Sequence, residues 1–106
     1  MKEEDSEVFL DAGCFHRLRS ILWYESGIRD FVVVYFTTER GVPEEIARFD
    51  CSHGFAHRDL PFLPERDKRR KTPLSGKTPK EQYDEAMLDI HSNWTRYHEE
   101  WKRWRK

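Results

Sequence analysis

The chain has 106 residues, with 19 Lys+Arg against 20 Asp+Glu and 37% hydrophobic residues. That length holds one domain, and no apolar run approaches the ~20 residues of a membrane helix. The acidic start, Met1-Lys2-Glu3-Glu4-Asp5, carries no secretion signal, and Cys14 and Cys51 are too few for a disulfide framework. A cytoplasmic protein with no membrane partner is the expectation, and its 15 aromatic residues argue against disorder. The near-zero net charge conceals an asymmetry: residues 1–60 carry 7 basic and 12 acidic residues, residues 61–106 carry 12 and 8.

Beyond the acidic tail, Val8-Phe9-Leu10 is a short apolar run ending at Asp11-Ala12-Gly13. Cys14–Tyr24 reads as a strand, and Ser26-Gly27 as the turn after it. Phe31–Phe36 is β-branched or aromatic throughout. Both of its parities are apolar, which predicts a central strand covered on both faces. Arg40-Gly41-Val42-Pro43 turns the chain into Ile46–Cys51, where Ala47, Phe49 and Cys51 alternate with Ile46, Arg48 and Asp50. These short connections favour an antiparallel meander, because parallel pairing needs a long crossover.

Residues 53–78 contain Pro61, Pro64, Pro73 and the basic run Lys68-Arg69-Arg70-Lys71, and read as an irregular connection. Thr78-Pro79-Lys80-Glu81 then fits a capping box opening a helix over 79–104. Tyr83, Met87, Ile90, Trp94, Tyr97, Trp101 and Trp104 recur every three or four residues as a seam on it. At ~39 Å, the helix is expected to outrun strands of ~20 Å, leaving Tyr97, Trp101 and Trp104 for an interface with a second copy or another protein. His91 and His98 lie off the seam and read as solvent-facing. The predicted fold is therefore α+β, a meander of three or four strands within 8–52 and one long C-terminal helix packed on it.

Reactive side chains are densest in Asp50-Cys51-Ser52-His53-Gly54-Phe55-Ala56-His57-Arg58-Asp59. His53 or His57 can move a proton near neutral pH while Arg58 stabilises charge on a phosphodiester and Asp50 assists. Cys51, His53, His57 and Asp59 alternatively offer metal ligands, although Cys-x-His-x3-His lacks the second pair of common zinc motifs. Cys51 as a nucleophile is a third reading, and a plain polar turn a fourth. Arg17 and Arg19 share one strand face that Arg48 can approach. With Lys68, Arg69, Arg70 and Lys71 they form the candidate nucleic-acid surface, Phe15 and Trp23 supplying rings for stacking. Pairing of these arginines with nearby acids is the competing reading, and no motif calls for a cofactor.

The order of these motifs resembles the TumE family of small prokaryotic toxins, whose strand ends in an aromatic-Asp pair followed by a Gly/His-rich turn closing on His-Arg-His. Phe49-Asp50 and His57-Arg58 match that pattern, and Asp59 stands where the last His would be. The resemblance implies a toxin–antitoxin setting, an antitoxin partner and metal-independent, ribonuclease-type action on RNA. A related prokaryotic family without toxicity fits the same residues. A non-catalytic module that homodimerises or binds a protein through the helix end is the alternative function.

Overall fold

The computed structural model describes residues 1–51 and 55–105. It is an α+β fold in which β1 (Lys2–Phe9), β2 (His16–Tyr24), β3 (Ile28–Thr37), β4 (Glu44–Asp50), β5 (His57–Asp59) and β6 (Lys71–Pro73) precede α1 (Pro79–Trp104). The strands form one antiparallel sheet in chain order. The meander and the long helix follow the sequence reading, but the sheet has six strands rather than three or four.

The extra strands have physical causes. β1 is an edge strand with all eight residues exposed, four of them acidic, so it has no apolar alternation to betray it. β5 and β6 have three residues each, too few for a periodic signal, and exist by pairing with β4 and with each other. The β2–β3 turn is made by Ser26 and Gly27, both at positive φ (55° and 115°), a conformation glycine adopts without steric cost.

One face of the sheet packs on α1, chiefly through β3 and β4. Leu18, Phe31, Val33, Tyr35 and Phe49 meet Ala86, Ile90, Tyr97 and Trp101 to form the core. Ile46 and Ala47 are buried side by side because the β3–β4 register slips between Tyr35 and Phe36. Among the described residues, no helix covers the opposite face. There Val32, Val34 and Phe36 line an open groove with Ile21, Trp23 and Pro43, so the expectation that both faces of β3 are covered holds on one side only.

The helix begins as its sequence suggests. Thr78 Oγ1 accepts from the Glu81 N–H at 3.2 Å, and Pro79 occupies the first turn. The reciprocal half of the capping box is displaced by one residue, since the Glu81 carboxylate accepts from Lys77 N instead of Thr78 N. Tyr97 and Trp101, expected at an interface, are buried within the monomer at 2% and 3% exposure, and only Trp104 projects, at 46%. The reason is the C-terminal docking of the helix. Glu39, just after β3, bonds His98, while Arg40 and Arg105 lie over the Trp101 ring. None of the described helices is long and apolar enough to cross a membrane.

Candidate functional site

The strand register sorts the candidate residues onto two faces. Across the six strands Glu7, Arg19, Val34, Arg48, Asp59 and Lys71 stand directly opposite one another, as do Asp5, Ile21, Val32, Asp50, His57 and Pro73. Both rows lie on the open face, because residues two apart share a face. Ser20, Val33, Phe49, Arg58 and Thr72 form an intervening row against the helix.

His57 and Asp50 therefore converge, with His57 Nε2 at 3.8 Å from Asp50 Oδ1. Asp50 is itself held by Arg48, whose Nε donates to Oδ2 at 3.0 Å. Arg58, expected beside them, points the other way. Its Nη1 donates to Tyr97 Oη at 3.1 Å and its Nη2 to Thr72 Oγ1 at 3.2 Å, so it anchors β5 to α1 and cannot share a substrate with His57. Strand alternation is the whole reason. The expectation for His53 lies outside the described residues.

Most of the predicted cationic surface is neutralised in place. Arg19 makes a two-pronged contact with Asp5, Arg17 lies 3.6 Å from Glu7 and over the Phe9 ring, and Arg48 also meets Glu45 at 2.9 Å. In the basic run, Arg69 pairs with Asp67 at 3.0 Å. Arg70 donates to the Leu63 carbonyl at 3.0 Å and lies 3.4 Å from Asp59. Lys68 and Lys71 have no side-chain partner among the described residues. Lys71 borders a groove of about 300 Å³ with His57, Pro73 and Phe55, whose ring is 63% exposed. A second groove, of about 520 Å³, runs along Arg66, Lys68 and Arg70.

Cys51 follows Phe49 on the helix-facing parity, and its Sγ lies 3.8 Å from Gln82 Oε1. Burial, helped by the charge of Asp30, pushes its thiol up to about 11, which disfavours the nucleophile reading. It also turns away from His57 and Asp59, so of the expected Cys51, His53, His57 and Asp59 metal ligands the three described ones do not come together.

Sequence reasoning missed a second cluster, at the end of the sheet where β2 begins. Buried His16 is hydrogen-bonded through Nδ1 to Tyr35 Oη at 2.8 Å. Its ring meets the His98 ring at 4.4 Å between centroids and the Trp94 ring at 4.8 Å. His98, expected to face solvent, instead places Nε2 at 2.5 Å from Glu39 Oε1. A signal for this was present: His98 falls four residues after Trp94 and three before Trp101, on the flank of the seam. Burial, reinforced by neighbouring His98, holds the His16 imidazolium below its usual range. Burial pushes Glu39 up, yet the His98 bond and the positive charges around it leave its carboxyl below the usual value.

No curated protein and no solved structure matches the chain. The family model described as "Domain of unknown function (DUF7718)" matches residues 1–106, and the chain belongs to that family.

Proposed function

We propose that the protein binds single-stranded RNA at the corner of the open face formed by β5, β6 and Phe55. The carrying observation is the groove in which Phe55 presents an exposed side chain beside Lys71, with His57 3.8 Å from Asp50. An unstacked base lies on Phe55, its phosphate meets Lys71, and the strand continues along Arg66 and Lys68. His57 offers one proton-transfer group. The second histidine of the TumE-like pattern is Asp59, which is engaged by Arg70, so this geometry favours binding over cleavage. A toxin role with an antitoxin partner is part of the same proposal and rests on the motif resemblance. Unimpaired growth on expression without a partner counts against it.

Fluorescence anisotropy with a labelled single-stranded RNA tests the binding. Phe55→Ala is expected to weaken it by about 5- to 150-fold, because base–aromatic stacking contributes ~1–3 kcal/mol. Lys71→Ala should weaken it and reduce the slope of log affinity against log salt by about one unit. Absence of saturable binding at low salt, or unchanged affinity in both variants, overturns the reading.

The apolar strip Ile21, Trp23, Val32, Val34, Phe36 and Pro43 favours a second reading. It lines a groove of about 610 Å³ flanked by Arg19, Arg48 and Glu45. A second copy of this chain fits it, since mixed charges around an apolar centre are self-complementary across a two-fold axis. A mass that stays monomeric across a concentration series in sedimentation refutes that reading.

A further inference from the structure

We propose that His16, Glu39 and His98 form a binding site for one divalent transition-metal ion of the zinc class. One ligand atom from each residue lies within 4.8 Å of the other two, and among the described residues this is the group of histidine, cysteine and carboxylate side chains so arranged. The three come from separate elements: the start of β2, the residue pair after β3, and the penultimate turn of α1. Two imidazoles and one carboxylate are the donor set that catalytic zinc sites and related open sites use, with remaining positions left for water or substrate.

The surroundings supply what such a site needs. Tyr35 holds His16 Nδ1; when that nitrogen donates its proton to the phenol oxygen, Nε2 keeps the lone pair that a metal requires. Arg105 Nη1 lies 3.5 Å from Glu39 Oε2, which leaves Oε1 to the ion. Trp94 packs on His16 and Trp101 stacks on His98, limiting water on the core side. Asp11 accepts from the His16 backbone N–H at 2.9 Å, fixing where β2 starts and where the ring emerges. Ligand atoms around zinc stand roughly 3.3 Å apart, given metal–nitrogen distances of ~2.0–2.1 Å. On binding, Glu39 and His98 close on the ion, which takes the place of the hydrogen bond that now joins those two groups.

This site lies on the helix side of the sheet, opposite the groove proposed for RNA, and neither proposal depends on the other. The test uses the full chain without a polyhistidine tag, titrated with zinc by calorimetry and with cobalt by visible absorption. One equivalent is expected to bind, with a rise of several degrees in melting temperature at saturating metal. His98→Gln and Glu39→Gln should each lower the affinity by about tenfold or more, whereas His91→Gln, on the exposed side of the helix, should not change it. Glu39 has the most solvent-exposed side chain of the three, so Glu39→Gln decides the matter where His98→Gln fails to fold. Lack of saturable 1:1 binding, equal affinity in folded Glu39→Gln, or loss of binding in His91→Gln overturns the proposal.

Discussion

Removal of a single oxygen at Tyr97 gives the sharpest test of how Arg58 is held. In Tyr97→Phe the ring keeps its packing, but the hydroxyl that donates to Asp89 at 2.6 Å and accepts from Arg58 at 3.1 Å is lost. Asp89 is half-exposed and regains water, so its share of the cost is small. Arg58 is half-buried as well, but its recourse is smaller. Its Nε is already buried without a partner among the described residues, and Thr72 becomes the remaining named hydrogen-bond acceptor for the guanidinium. A hydrogen bond to a charged group contributes about 1.5–3 kcal/mol, and the partial burial of Arg58 sets the loss at the low end, about 1.5 kcal/mol. For a domain of this size that is a fall of roughly 6 °C in melting temperature. Urea unfolding should show a lower midpoint at unchanged slope. Replacing Arg58 as well should recover part of the loss, because the stranded charge is the costly element: Tyr97→Phe with Arg58→Met is expected to fall short of additivity by about 1 kcal/mol. A Tyr97→Phe protein within about 0.5 kcal/mol of the parent, or strict additivity in the pair, refutes the account of Arg58 as an internal anchor.

The two thiols should separate cleanly in a disulfide-exchange assay at about pH 8, Cys14 reacting first and Cys51 at least ~10-fold more slowly. Equal rates would contradict the half-buried, proton-retaining Cys51. The same burial has a sign in stability. The folded thiol holds its proton above the unfolded value of 9.0, so its contribution is intact below that pH and is lost as pH rises toward about 11. Thermal melts of the parent and Cys51→Ala across that window measure it; an equal alkaline decline in both removes Cys51 from the explanation. Gly76→Ala should destabilise by about 2 kcal/mol or more, since its Cβ would sit 2.7 Å from Gln82 N and 2.9 Å from the Glu81 carbonyl carbon. A stability gain in thermal unfolding, the usual Gly→Ala effect on the unfolded chain, would show that the contact relaxes freely.

What could be read from the chain was what its local chemistry decides. Thr78, Pro79 and the three-and-four spacing from Tyr83 to Trp101 define α1, because capping and i,i+4 contacts lie within a few residues. Phe31–Phe36 likewise declares a central strand by composition alone. Asp50 and His57 were legible as members of one reactive stretch, and only the register sets them opposite each other. β1, β5 and β6 were not legible, since an acidic edge strand and two three-residue strands carry no burial pattern of their own.

Tertiary structure decided which face each candidate serves. Alternation along β5 sends His57 to the open face and Arg58 into the contact with Tyr97, splitting two neighbours that composition had joined. Pairing with β1 acids, set by register, consumed Arg17 and Arg19, whereas Arg48 meets Glu45 and Asp50 of its own strand. The approach of His98 to Glu39 spans 59 positions and depends on where a rigid 26-residue helix comes to rest on the sheet. Local sequence specifies that helix and its apolar stripe. Only packing of the stripe against β3 and β4 brings His16, Glu39 and His98 within reach of one another.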